Sequence, residues 1–124
     1  MAQTVLLFRM DRDKQDAVRQ VCNTLNIRMV EVKRSDYAQK LGAIAGISGF
    51  KREAKAYGGP ELPAPMLVFS EMNSGQVDAF LDAYKKTGAE PIGLKAVVTA
   101  HNIFWSADQL VKELLREHLF MGRK

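Results

Sequence analysis

Apolar positions along the chain follow two rhythms, and the pair of rhythms comes twice. Thr4-Val5-Leu6-Leu7-Phe8 is a short unbroken β-prone run that predicts a buried strand. Asp11 or Asp13 then offers a helix N-cap, and Ala17, Val18, Val21, Cys22 and Leu25 recur at helical spacing. This predicts a helix from about Lys14 to Leu25, ended by Asn26, a residue that tolerates the left-handed conformation of a helix terminus. Ile27 to Val32 alternates apolar and polar residues and predicts a second strand. The grammar then recurs. Met66-Leu67-Val68-Phe69 predicts a strand, and Asn73 with Gln76 has capping-box spacing. Val77, Phe80, Leu81 and Tyr84 form a helical stripe, Gly88 stops it, and Pro91 to Val98 predicts the fourth strand.

Each half carries an appended helix. Asp36 to Ile44 reads as helical in the first half, with Gly46-Ile47-Ser48-Gly49 as interruption and a further turn or two from Phe50 to Tyr57. In the second half Ser106, with Gln109 three residues on, starts a helix lined by Leu110, Val111, Leu114, Leu115 and Leu119, with Gly122 at its end. Residues 58–65 hold three of the four prolines and join the halves. An offset of 62 places Met10 on Met72, Ala17 on Ala79, Val18 on Phe80, Asn26 on Gly88, Val30 on Ile92 and Lys33 on Lys95. The opening strands fit an offset of 61, which brings Phe8 onto Phe69. The expected architecture is a single α+β domain over 1–124: a ferredoxin-like four-stranded sheet with helices on one face. It would be built from pseudo-repeated βαβ halves at 1–57 and 66–122. A flavodoxin-like parallel sheet is the alternative, which four strands and a long Pro/Gly linker disfavour.

Composition narrows the class. A chain of 124 residues, 47% hydrophobic and 26% charged, suits one globular domain and excludes a disordered tail, a collagen or a disulfide scaffold. No apolar run approaches the roughly 20 residues needed to cross a bilayer, so no membrane association is expected. The start, Met1-Ala2-Gln3-Thr4, has no secretory pattern, and the single Cys22 cannot form an internal disulfide, so the expected compartment is the cytoplasm.

The formal charge of +4 is concentrated between Lys33 and Lys55, where Lys33, Arg34, Lys40, Lys51, Arg52 and Lys55 face only Asp36 and Glu53. Such a patch can attract phosphate or an acidic partner, although a solvated face is the commoner use of a charge run. Tyr37, Phe50 and Tyr57 accompany it, few aromatics for a nucleic-acid surface.

Phosphate-loop, dinucleotide-fold, paired-cysteine and zinc-protease motifs are all missing, so no cofactor, metal ligand or catalytic set is assigned. Gly46-Ile47-Ser48-Gly49 resembles the backbone-clamping loop of KH domains, but the surrounding order of elements differs and favours a helix-breaking turn. Cys22, on an apolar stripe, reads as an inert buried thiol. His118, near Glu113 and Glu117, reads as a solvated helix end rather than a metal site.

The most informative stretch runs from Lys95 to Ser106. A strand bearing Lys95 and Thr99, expected on one face, passes His101 and Asn102 and enters a capped helix through Trp105, the only tryptophan. Strand-to-helix loops collect ligand contacts because a helix N-terminus offers free N–H groups. Lys95, Thr99, His101, Asn102 and Trp105 are therefore the candidate ligand-binding residues. The competing mechanical reading makes Trp105 a hydrophobic staple against Leu110 and has Thr99 and Asn102 satisfy turn backbone groups.

Lys95-Ala96-Val97-Val98-Thr99, with Asn102, Trp105, Leu110, Glu113 and Glu117-His118, resembles the signature of a bacterial family called domain of unknown function, number 3783. The resemblance spans Met66 to His118 through the pattern K-A-V-x-T-x-x-N-x-x-W. It implies an intracellular bacterial protein and no mechanism.

Three functions follow as expectations. The first is a non-catalytic interaction domain that self-associates as a homodimer. The second is a regulatory module that binds an anionic small molecule at the 95–105 loop, with Lys33 as a further contributor. The third is nucleic-acid binding through residues 33–55. An enzyme using His101 as general base ranks last, since no partner for it can be named.

Overall fold

The computed structural model describes residues 3–121, with side chains over residues 3–117. The elements are β1 (Thr4–Phe8), α1 (Arg12–Leu25), β2 (Arg28–Val32), a single-turn α2 (Leu41–Ile44), β3 (Met66–Ser70), α3 (Ser74–Lys86), β4 (Leu94–Val97) and α4 (Ala107–Met121). Local signals account for their limits. Asp11 caps α1 by accepting from Lys14 N at 2.9 Å, and Asn26 ends it at φ 58. Asn73 and Gln76 form a reciprocal capping box at α3. Gly88 takes φ +80 just beyond that helix, a conformation open to glycine at little cost.

The strands form one mixed α+β sheet in the order β2-β1-β3-β4. β1 pairs parallel with β2 and β3 parallel with β4, while β1 and β3 meet antiparallel with Leu6 opposite Val68. This corrects the expected ferredoxin-like topology. That fold splits each βαβ unit by inserting a strand, whereas here α1 joins strands that are direct neighbours. The expectation of helices on one face is also corrected. Val5, Leu7, Leu67 and Phe69 bury one side of the central strands against Val18, Val21 and Phe80 of α1 and α3. Leu6, Phe8, Met66 and Val68 bury the other side against Leu41 of α2 and Leu110 and Val111 of α4. Both central strands are apolar at nearly every position, as a doubly covered strand must be, and the result is three layers.

The connection from β2 to β3 holds the largest departure from expectation. In place of a helix over 36–44 there is a 3-10 turn at Arg34–Asp36, followed by the one-turn α2, and residues 50–57 are not helical. Buried Gln39 explains this. Its amide donates to Glu53 O at 2.7 Å and Lys55 O at 3.1 Å and accepts from Glu53 N at 2.7 Å, so it fixes an extended strap. Gly42 lets the Phe50 ring lie against α2, where a β-carbon would come within 2.6 Å of that ring. Since β3 is antiparallel to β1, this connection stays at one end of the sheet and crosses over β1. It thereby roofs the carboxyl ends of β1 and β2. β4 is shorter than the expected 91–98: the strand begins only at Leu94, after Pro91, which lacks a donor, and Gly93.

Candidate functional site

The stretch 95–105 divides between the two faces of the sheet. Lys95 lies beside Leu67, Leu81 and Tyr84 on the α3 side, and its Nζ donates to Ile92 O at 2.8 Å. Trp105 packs on the opposite side, in the cluster that contains Leu110. Thr99 does not share a strand face with Lys95, because β4 ends at Val97 and Thr99 sits in the following turn. That turn is closed by side chains. Asn102 Oδ1 accepts from Thr99 N at 2.8 Å, Asn102 Nδ2 donates to Val97 O at 3.0 Å, and Thr99 Oγ1 accepts from the Asn102 and His101 amides at 3.1 and 3.2 Å. His101 is exposed, with its ring edge-on to Trp105 at a centroid distance of 5.3 Å. Thr99 and Asn102 thus hold backbone, His101 and Trp105 hold each other, and Lys95 faces another cavity.

A different place in the fold gathers unspent charge. Outside the carboxyl ends of β1 and β2 lies a cleft of about 460 Å³ lined by Arg9, Gln15, Glu31, Lys33, Arg34, Tyr37 and Glu61, among others. The carboxyl ends of adjacent parallel strands are where α/β sheets bind ligands, since the chain there turns away and leaves a crevice. Two strand exits supply its three cations. Arg9 follows β1 directly and takes φ 54, a left-handed backbone uncommon for a non-glycine residue. Lys33 and Arg34 follow β2.

The carboxylates of the cleft already have partners. Glu61 Oε1 accepts from the Tyr37 hydroxyl at 2.6 Å and from Leu62 N at 2.8 Å, and Glu31 lies 3.6 Å from Arg19. Tyr37 is buried at 1% exposure, and burial, followed by its bond to Glu61, pushes its hydroxyl well above the usual phenol range. It therefore stays a neutral donor fixed on Glu61. Arg34 anchors the roof by donating Nε to Gly59 O at 3.0 Å, with Nη2 on the same carbonyl. Among the described residues neither Arg9 nor Lys33 has an ion-pair partner. The cleft is left with cations that an anion can satisfy.

The remainder of the basic stretch does not act as a single surface. Arg52 pairs with Asp36, and Lys55 lies 3.6 Å from Glu53. Lys40 and Lys51 are exposed and have no ion-pair partner among the described residues. The Gly46–Gly49 segment is a turn with φ +76 and +92 at its glycines, and Arg28 approaches it by donating to Ala45 O at 3.3 Å. Cys22 is buried and its thiol is pushed up to about 11 by desolvation. Groups of three or more metal-ligating residues are not found among the described residues, and the His118 side chain lies outside them.

Sequence reasoning identified Lys33 and Arg34 and placed Tyr37 only as an aromatic beside the basic run, but missed Arg9, Gln15 and Glu61; these come together only when the connection crosses β1. A usable signal existed: Arg9 closes an apolar strand as Lys33-Arg34 closes the next. The register also revises the expected match of Lys33 with Lys95. Val5 pairs with Met29 and Leu67 with Lys95, so the residue that follows β4 as Lys33 follows β2 is Thr99.

These features define a three-layer mixed α/β domain with a basic crevice at the exit of a parallel strand pair. Residues 65–121 match the family described as Domain of unknown function (DUF3783), which establishes the resemblance carried by Lys95 to His118. No curated protein and no solved structure matches the chain. The matched half includes β3, α3, β4 and the Thr99–Asn102 turn, whereas the cleft is built from residues before it.

Proposed function

We propose that this protein is a binding module for a small phosphate-bearing or otherwise multiply anionic molecule, held in the cleft outside β1 and β2. The carrying observation is the charge there: Arg9, Lys33 and Arg34 outnumber Glu31 and Glu61 in the lining, and among the described residues Arg9 and Lys33 have no ion-pair partner, while Glu31 lies 3.6 Å from Arg19 and Glu61 is held in place by Tyr37 and Leu62. Arginine and lysine together suit phosphate, the first by forked donation and the second as a point charge. At roughly 30 Å³ per water-sized group, a cleft of about 460 Å³ takes a ligand of about fifteen such groups. Titration calorimetry with inorganic phosphate, pyrophosphate and ATP tests the reading. At least one should bind the wild-type chain, and Lys33→Ala should weaken it about tenfold; no heat from any of the three overturns the proposal.

The chain also reads as a tandem of two βαβα units within the one domain. An offset of 62 relates the left-handed residues Arg9 and Glu71, the N-caps Asp11 and Asn73, and the left-handed terminators Asn26 and Gly88. The family resemblance and the unpaired, buried Cys22 support a bacterial, intracellular setting.

A second reading, self-association as a homodimer, is supported by Phe104. Its ring is 60% exposed and rests only 5.3 Å from Phe50, with Trp105 partly exposed next in sequence. Sedimentation velocity checks it: a dimer in the wild type that becomes monomeric in Phe104→Ser supports it, and a monomer at high micromolar concentration removes it.

A further inference from the structure

A second cavity, on the α3 side of the sheet, has the opposite character. It measures about 260 Å³, and its walls are Leu67, Leu81, Pro91 and Ile92 with the ring of Tyr84. The Tyr84 hydroxyl donates to Glu90 O at 2.7 Å, so its polar end is already occupied by backbone. Two cations complete the lining, Lys85 from the last turn of α3 and Lys95 from β4. Lys95 spends one of its three donors on Ile92 O, and among the described residues neither lysine has an ion-pair partner. A half-open apolar wall with cations and no carboxylate in its lining matches one kind of molecule, an amphiphile with a single anionic head.

We propose that this cavity binds the anion of a free medium-chain alkyl carboxylic acid, with the chain against Leu81, Ala89 and Pro91 and the carboxylate between Lys85 and Lys95. Size selects the chain length. At roughly 30 Å³ per water-sized group, about 260 Å³ holds eight or nine such groups. An acid of nine or ten carbons, whose tail beyond the carboxyl carbon has eight or nine groups, fills it, whereas a long-chain acid leaves carbons in water. The head group supplies orientation and the chain supplies free energy by burial, in the manner of apolar pockets with few convergent polar groups. No bond is made or broken. The site shares no lining residue with the basic cleft, and it lies within the segment that matches the family.

Calorimetry with decanoate and with decanol separates head from tail. Decanoate should bind the wild-type chain at least tenfold more tightly than decanol, and Lys95→Ala should remove that preference while leaving pyrophosphate binding at the cleft unchanged. A Leu81→Trp variant, which fills the cavity from α3, should abolish both amphiphiles with the circular dichroism spectrum retained. Equal affinity for decanoate and decanol, no decanoate binding by the wild type, or undiminished decanoate binding in a folded Leu81→Trp variant each overturns the proposal. A failure of pyrophosphate binding alone bears on the cleft and not on this cavity.

Discussion

Arg9 and Glu71 offer a test in which backbone geometry and charge can be pulled apart. Both follow a central strand directly, both have positive φ, at 54 and 62, and both are exposed. The left-handed conformation costs a non-glycine residue about 1 kcal/mol. Glycine removes that strain and gives back about 0.5 kcal/mol through the larger entropy of its unfolded chain. Arg9→Gly and Glu71→Gly should therefore each stabilise the fold by about 0.5 kcal/mol, read as a higher urea midpoint at unchanged slope. Their effects on ligand should diverge. Removing one charge-assisted donor costs about 1.5–3 kcal/mol of binding, which is about one to two decades in Kd. Arg9→Gly should weaken pyrophosphate by that amount, and Glu71→Gly should leave it unchanged. Equal losses in both variants would mean that loop shape, not the guanidinium, makes the cleft. A destabilised Arg9→Gly would mean that the side chain supports the fold and is not held for a ligand.

Three further outcomes are expected. Asn73→Ala removes the side-chain acceptor for Gln76 N and half of the capping box; it should cost about 1 kcal/mol, measured by urea denaturation. Asn102→Ala leaves Thr99 N and Val97 O without their present partners; it should cost about 2 kcal/mol and leave ligand binding unchanged, measured by denaturation alongside calorimetry. Cys22 should resist a disulfide-exchange reagent at pH 8 in the native chain and react promptly in urea. Its thiol is raised above the usual 9.0, to about 11, so the protonated form is favoured by folding. That contribution to stability is fully present below pH 9 and declines as the pH rises toward 11, which denaturation midpoints across the range will follow.

Short-range chemistry explains what was legible in the chain. Asp11, Asn26, Asn73, Gly88 and Ser106 act on backbone groups a few residues away, so their roles can be read without knowing the fold. Unbroken apolar runs at 4–8 and 66–69 likewise announced the central strands. Those runs also carried the information that was misread. A strand apolar at every position has two faces to bury, and helices on one side alone could not have covered Val5 and Leu7 together with Leu6 and Phe8. Strand order was beyond local reading, because whether α1 joins neighbouring or separated strands depends on pairings made far along the chain. The absence of a helix over residues 50–57 depends on Gln39, whose side chain binds partners 14 and 16 residues away.

The same contrast explains why the best-signalled loop has its polar groups engaged while the other strand exit has cations unpaired among the described residues. Because β1 and β3 are antiparallel, the two parallel pairs direct their carboxyl ends to opposite ends of the sheet, and each half has its own exit. At the exit of β3 and β4 stand Glu71, Thr99 and Asn102, and the amide and hydroxyl groups close the turn upon itself. At the exit of β1 and β2 stand Arg9, Lys33 and Arg34, beneath a connection pinned by Tyr37 and Glu61. Polar residues that satisfy local backbone are spaced closely in sequence and look like a motif. Residues left available to a ligand need no such spacing, and they converge only after the chain has crossed its own sheet. Dense local signals at a strand exit therefore argue for a turn that is complete, and scattered cations at the matching exit argue for a place that a ligand completes.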